Sequence, residues 1–293
     1  METILKGLGK EVVISPELPT VIIGERINPT GKKRLAEALR AGDLEIVKTE
    51  ALNQIEAGAD VLDLNVGTAG VDEVSLLPKV IELVTGIVTV PISTDTSNID
   101  VLRAALAMHR KIVPEGKPLV NSVTGEESRL ASVLPLVAEY KTAVIGLTMD
   151  DEGIPKDPQK RLEIAKKIVQ RANQYGIPAE DVIIDCLALT VGADSQAGKT
   201  TLEAIRLVRD QLGVNLALGV SNVSHGLPER DVVTQAFLIM AMMSGVNIPI
   251  VDASKMKPAV LATDLLLGKD EFAARYIRDF KKRQKRLAAL QGT

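Results

Sequence analysis

Six short apolar runs along this chain end in a carboxylate or a carboxamide. They are VIIGERIN (21–28), VLDLNVG (61–67), PISTDTSN (91–98), PLVNSVTG (118–125), VIIDCL (182–187) and LALGVSNVS (216–224). Each is bounded by Gly, Pro or polar residues, the pattern of a buried parallel strand. With two further apolar runs, the pattern predicts strands near 20–24, 60–65, 91–94, 118–121, 143–147, 182–185, 215–219 and 247–251. Helical periodicity fills the intervals: about 43–57 (after a shorter stretch at 31–41), 73–85, 98–110, 126–139, 158–175, 200–212, 230–243 and 258–266. Asn98 and Asp157–Pro158 have the character of helix starts, and Glu229-Arg230-Asp231 opens another helix with acidic residues. Gly58, Gly176, Gly213 and Gly245 follow predicted helix ends, where left-handed backbone is favoured. Eight alternating units in about 250 residues fit a single (β/α)8 TIM barrel of the α/β class. A doubly wound open sheet is the alternative, but it seldom uses eight evenly spaced units. The expected organisation is a lead-in at 1–19, one barrel at 20–267 and a basic helical tail at 268–293.

Parallel barrel strands bring their C-terminal ends to one rim, and chemistry in such barrels sits there. The polar strand ends would gather on it, and Asp150–Asp151 and Asp252 follow two further strands. Asp63 and Asn65 are two apart and share one side of their strand. Asp185 follows three apolar residues, and a carboxylate there needs partners because burying it unpaired is costly. A ligand edge with two parallel N–H donors, as on guanine or a pterin, supplies them; Asn121 adds an acceptor and a donor pair. Asn222 offers both a donor and an acceptor, which suits a ligand atom whose protonation changes during reaction; a turn asparagine is the competing reading. Asp95 could equally cap the following helix. His225 lies on the same rim, as a ligand contact, a proton relay or a plain loop residue, whereas His109 is expected to be solvated or to face a helix dipole.

Composition narrows the picture. Hydrophobic residues make up 46% and aromatics only 2%, so the core must be Val, Ile, Leu and Ala. A net charge of −3 with few aromatics argues against nucleic acid as a partner. Two histidines and one cysteine make no zinc site, and no protein-bound metal is expected. Cys186 permits no internal disulfide, suits a reducing compartment and is expected in a small buried role. GADSQAGKT (192–200) has five residues between Gly192 and Gly198, not the four of a phosphate-binding loop, and reads as a loop entering a helix. The N-terminus lacks the apolar core of a signal peptide, and no apolar run reaches about 20 residues, so a cytoplasmic protein without a membrane span is expected. RYIRDFKKRQKRLAAL in the tail reads as a solvated helix face, with steering of an acidic partner as a second role.

Taken together, IGERIN with GADVLDLNVG, then DTSN, VNSVTG, IGLTMDDEGIPKD, IID and LGVSNVS resemble the methyltetrahydrofolate:corrinoid methyltransferases over about 21–252. The folate-binding module of cobalamin-dependent methionine synthase shares much of the pattern, and the wider pterin-binding group includes the dihydropteroate synthases. The resemblance implies methyl transfer between N5 of tetrahydrofolate and the cobalt of a corrinoid carried by a partner protein. As a barrel without an attached corrinoid domain, the chain resembles a separate transferase subunit, such as those of acetogenic carbon fixation and anaerobic O-demethylase systems. It implies that Asp95, Asn121 and Asp185 hold the pterin edge, and that Asn222 lies near N5. Ser221 and Arg230 fall in the same loop region, Arg230 toward the folate tail or the loop itself. Asp63 and Asn65 match the segment beneath the site, and Glu25 and Asn28 the first-strand segment. His225 departs from the acetogenic type, which commonly has a carboxamide there, and CLALTVGAD replaces a turn that often contains proline. A homodimer is implied as well. Two alternatives stay open: a dihydropteroate synthase-like enzyme, for whose pyrophosphate Lys255 and Lys257 are the nearest cations, and a non-catalytic folate-binding protein.

Overall fold

The computed structural model describes residues 1–291; the last two residues of the expected tail, 292–293, lie outside the described residues. A two-stranded antiparallel hairpin, β1 (Thr3–Lys6) and β2 (Glu11–Ile14), comes first. Eight parallel strands then follow one another around a closed barrel. They are β3 (Ile23–Ile27), β4 (Val61–Leu64), β5 (Ile92–Asp95), β6 (Leu119–Thr124), β7 (Ala143–Leu147), β8 (Val182–Asp185), β9 (Leu216–Gly219) and β10 (Ile248–Val251), the last pairing back onto β3. The fold is a single (β/α)8 TIM barrel. Its outer helices are α1 (Lys33–Ala41), α2 (Glu45–Ala57), α3 (Glu73–Ile87), α4 (Ile99–Ile112), α5 (Glu127–Tyr140), α6 (Pro158–Gln174), α7 (Ala197–Leu212), α8 (Arg230–Ser244) and α9 (Ala253–Leu266). The basic segment forms α10 (Ala274–Gln291). No described helix is long and apolar enough to cross a membrane.

Local signals account for most element ends. Asn98 accepts from the amides of Asp100 and Val101 at the start of α4, and Asp157 accepts from Gln159 with Pro158 in the first turn of α6. Gly58 (φ +96°) ends α2 with backbone that an L side chain resists. Four elements differ from expectation by three residues or more at an end; one is β6, which runs to Thr124 rather than 121. The first barrel strand lies at Ile23–Ile27 rather than 20–24, because two charged residues, Glu25 and Arg26, belong to it. Arg26 is paired with Glu50 at 3.3 Å. Helix α9 starts at Ala253, five residues before 258, because Asp252 caps it and Pro258 sits inside it. Likewise α7 starts at Ala197 rather than 200.

Strand alternation divides the core in two. Ile22, Leu62, Leu64, Ile92, Val120, Val144, Ile184 and Leu218 face the helices. Ile23, Val61, Leu119, Ala143, Ile145, Ile183, Ala217, Ile248 and Ile250 fill the barrel interior together with Leu5, Val12 and Ile14 of the hairpin. The expected lead-in is therefore a plug across the barrel floor. Polar groups there satisfy one another. Asn215 Nδ2 donates to Thr3 Oγ1 (2.8 Å) and to the Ile14 carbonyl (3.2 Å). Asn247 Nδ2 donates to Asn215 Oδ1 (2.8 Å), and Thr3 Oγ1 donates to the Glu180 carbonyl.

Candidate active site

Two residues above the apolar floor layer, the inner positions turn polar. Alternation places Glu25 on β3, Asp63 on β4, Ser93 and Asp95 on β5, Asn121 on β6 and Asp185 on β8 around the barrel mouth. Hydrogen bonds link them across strands. Ser93 Oγ donates to Asp63 Oδ1 at 2.6 Å, and Asn121 Nδ2 reaches the same oxygen at 3.2 Å. Asn65 Nδ2 donates to Asp95 Oδ2 at 2.9 Å. A register shift in β6 between Asn121 and Val123 inserts one residue just where the side chains change from packing to chemistry. Asp185 is gripped from behind: the Leu187 amide donates to Oδ1 (2.6 Å) and the Gly219 amide to Oδ2 (3.1 Å). A carboxylate has about four lone-pair sites, so acceptor capacity remains on each of these groups.

Burial dominates the electrostatics of the mouth. It pushes Glu25 up to about 7, against a hydrogen bond from Ser221 (3.3 Å) and the nearby Lys32. It raises Asp63 well above the carboxylate range, with Asp95 adding repulsion. Asp95 is raised by burial too, while burial lifts Asp185 to about 6 against its two amide donors and Arg161. Such groups favour a ligand that brings N–H donors or positive charge.

Asn222 does not stand on a strand. It lies in a short 3-10 turn, Val220–Ser224, directly after β9, and is exposed on the rim. Gly219 leaves space for it: Asn222 Nδ2 comes within 3.2 Å of where a Cβ would stand. Arg230, at the start of α8, donates to Ser224 Oγ (3.2 Å) and to the Ser221 carbonyl (2.8 Å), and so touches the loop. Ser221 links this turn to Glu25 across the mouth. His225 is exposed on the rim, and its carbonyl accepts from Thr190 Oγ1 at 2.6 Å.

Other expected site residues are occupied locally. Asn28 Oδ1 accepts from the Thr30 amide (3.0 Å) in the turn after β3. Asp150 caps its own turn through the Glu152 amide (3.0 Å), and Asp252 accepts from Gln54 Nε2 (3.1 Å) as well as capping α9. His109 corrects an expectation: it is 3% exposed, packed beside Val113 and Gly116, and burial, helped by Arg110, pushes its imidazole down to about 4. Cys186 is fully buried, and burial pushes its thiol up, away from nucleophilic use. Sequence reading missed Ser93, which lies two residues before Asp95 and so shares its inward face. It also missed Lys32, whose Nζ donates to the Glu25 and Arg26 carbonyls. A groove of about 770 Å³ lies elsewhere, between α7 and α8, with Leu202, Val223, Val232, Phe237 and Met240 among its lining. It is mostly aliphatic and lies outside the barrel, so the convergent polar mouth is the candidate site.

The family model described as pterin binding enzyme matches residues 24–252, the segment that carries every inward group above. This chain belongs to the pterin-binding enzymes. Among relatives, this pterin-binding enzyme is 30% identical over 271 residues to the methylcorrinoid:tetrahydrofolate methyltransferase of Eubacterium limosum, covering 89% of this chain and 96% of that one. It is 33% identical over 270 residues to the methionine synthase of Mycobacterium tuberculosis, covering 88% of this chain and 22% of that much longer protein. The enzyme is a methyltransferase. Solved dihydropteroate synthases share the fold. One from Yersinia pestis with a pterine-sulfa conjugate has TM-score 0.67 at 16% identity, covering 92% of this chain and all (100%) of that one. One from Xanthomonas albilineans has TM-score 0.66 at 20% identity, covering 91% and 99%.

Proposed function

We propose that this methyltransferase moves a methyl group between N5 of tetrahydrofolate and the cobalt of a corrinoid carried by a partner protein. The observation that carries the reading is the ring of inward acceptors under Asn222, in a chain related over nearly its whole length to a methylcorrinoid:tetrahydrofolate methyltransferase. In this reading Asp95, Asn121 and Asp185 take the N–H-rich pterin edge, Asp63 orients Asn121 and Asn65 orients Asp95, the Leu187 and Gly219 amides orient Asp185, and Asn222 faces N5.

A tertiary amine leaves carbon poorly, so transfer from methyltetrahydrofolate needs positive charge at N5 as the bond breaks. Asn222 has no useful acidity, but a carboxamide can turn either its oxygen or its N–H toward N5. It therefore strengthens its bond to N5 as charge develops in one direction and as it disappears in the other. The proton itself needs a group that titrates near neutrality. Glu25, pushed up to about 7 and bonded to Ser221 beside Asn222, meets that need through water. Positioning supplies much of the rest, since two large partners must meet at one atom.

Replacing Asn222 separates catalysis from storage. Asn222→Ala should bind methyltetrahydrofolate within a few-fold of wild type and lose transfer to a corrinoid by about 10²-fold or more. Equal transfer rates would remove Asn222 from the chemistry. A dihydropteroate synthase-like reading is disfavoured by the cations it needs. Lys255 pairs with Asp231 at 2.8 Å, and Lys257 donates to the Gly58 carbonyl at 2.9 Å.

The same reading includes a cytoplasmic role as the tetrahydrofolate-methylating component of an anaerobic O-demethylase system. It also includes a homodimer, supported by the bare outer face of α8, where Val232, Met240 and Met243 are 65%, 52% and 64% exposed. Met240→Glu should convert the dimer to monomer in analytical ultracentrifugation. A wild type that sediments as a monomer at micromolar concentration would end the dimer proposal.

A further inference from the structure

Arg161 is a charged side chain only 1% exposed, on α6, and none of the roles above uses it. Its guanidinium is held mainly by backbone carbonyls. Nε donates to the Pro155 carbonyl at 2.7 Å, in the loop between β7 and α6. Nη1 donates to the Cys186 and Leu187 carbonyls at 2.6 and 2.9 Å, in the loop after β8. It also lies 3.2 Å from Thr201 Oγ1 of α7, a hydroxyl that itself reaches the Leu187 carbonyl at 3.0 Å. One buried cation thus ties together two rim loops and a helix.

Leu187 is where this clamp meets the site. Its φ is +57°, a conformation leucine seldom adopts unless its surroundings hold it there. In that conformation its carbonyl faces Arg161 and Thr201 while its N–H faces Asp185 Oδ1 at 2.6 Å. The Gly219 amide fixes the other oxygen, so the direction of Asp185 depends on the backbone at 187. Arg161 also stands close enough to favour the charged form of Asp185. Burying a guanidinium merely as glue is a poor bargain, since apolar packing of similar volume often stabilises as well.

We propose that Arg161 is a positioning residue for pterin recognition: by holding the Cys186 and Leu187 carbonyls it turns the Leu187 amide onto Asp185 and aims that carboxylate into the barrel mouth. This rests on Asp185 being a pterin contact. Through Pro155, the loops after β7 and β8 then move as one unit.

The test is a double-mutant cycle of Arg161→Gln and Asp185→Asn. The readouts are methyltetrahydrofolate dissociation constants per folded molecule across pH, with folding followed by circular dichroism. Arg161→Gln should weaken binding about tenfold at neutral pH and shift its acid limb to higher pH, because Asp185 loses a nearby cation. In the Asp185→Asn background the same change should add less than about twofold. A purely structural Arg161 would lower thermal stability, leave the acid limb in place and add its full effect in both backgrounds; that result overturns the proposal. Should Arg161→Gln not fold, Thr201→Val removes one bond to the Leu187 carbonyl and should weaken binding about threefold, with none of that loss in the Asp185→Asn background; unchanged binding overturns the proposal. If wild type does not bind methyltetrahydrofolate, the pterin reading itself fails and this inference with it. If wild type binds and every Arg161 variant binds equally at all pH values, only the role of Arg161 fails.

Discussion

Ile23, Val61, Leu119, Ile183 and Ala217 occupy the lower inner positions of five barrel strands; two residues further on stand Glu25, Asp63, Asn121, Asp185 and Gly219. The same strands therefore build two unlike ends. At the floor, the hairpin adds Leu5, Val12 and Ile14 to the interior, and Thr3, Asn215 and Asn247 are hydrogen-bonded to one another and to nearby backbone. At the mouth, burial raises four carboxyl groups, and each keeps acceptor sites that the protein does not fill. Folding free energy is gathered at the floor, while the mouth sacrifices some of it to hold charge out of water. A stable floor is what permits a costly mouth.

Changes at each end should therefore fail differently. The largest contrast comes from Asp185→Asn, which gives one of its two amide donors a competing N–H. It should weaken methyltetrahydrofolate binding about 100-fold, measured by calorimetry, and move the thermal midpoint by only a few degrees. Leu5→Ala at the floor should do the reverse. Denaturant unfolding should lose about 2–5 kcal/mol, with folate affinity per folded molecule unchanged within about twofold. A loss of affinity matching the loss of stability would show that the two ends are not separable.

Smaller, and specific to the mouth, is the effect of pH on the ligand-free protein. Glu25 titrates near 7 when folded and near 4.5 when unfolded. The folded state then holds its proton more tightly, so this contribution to stability is full below the unfolded value and is lost as pH rises through 7. Asp185, at about 6, has the same sign over a lower window. Stability should fall from pH 5 to pH 8, and Glu25→Gln should remove about 1–3 kcal/mol of that fall. An equal slope in the variant would mean that Glu25 is not held in its neutral form.

Much of the barrel is legible in the chain because apolar runs and breakers recur with the period of strand–helix units, and because a parallel barrel sends every strand end to one rim. Asp63, Asp95, Asn121 and Asp185 could be gathered on that logic alone. What periodicity could not give has particular causes. The hairpin strands pair antiparallel and stand outside the repeating strand–helix units, so the floor plug read as a lead-in. Glu25 and Arg26 interrupt an apolar run, so the first strand read three residues early. Arg161 looks like a solvated helix residue by type, although its place four, seven and eleven residues before Ala165, Ile168 and Ala172 puts it on the buried face of α6. Asn222 carries a turn signal rather than a strand signal, and its place at the rim comes from the 3-10 turn after β9. His109 was misjudged because a polar residue near a helix end is usually solvated, whereas here Gly116 lets the imidazole pack inward.

The most direct test of the central claim mixes this protein with methyltetrahydrofolate and free cob(I)alamin under strict exclusion of oxygen and follows absorbance. The account predicts loss of the cob(I) band with matching growth of methylcobalamin, and the reverse change when methylcobalamin and tetrahydrofolate are supplied. A protein that binds methyltetrahydrofolate yet transfers no methyl group in either direction, with free cobalamin or with a corrinoid protein, would contradict it.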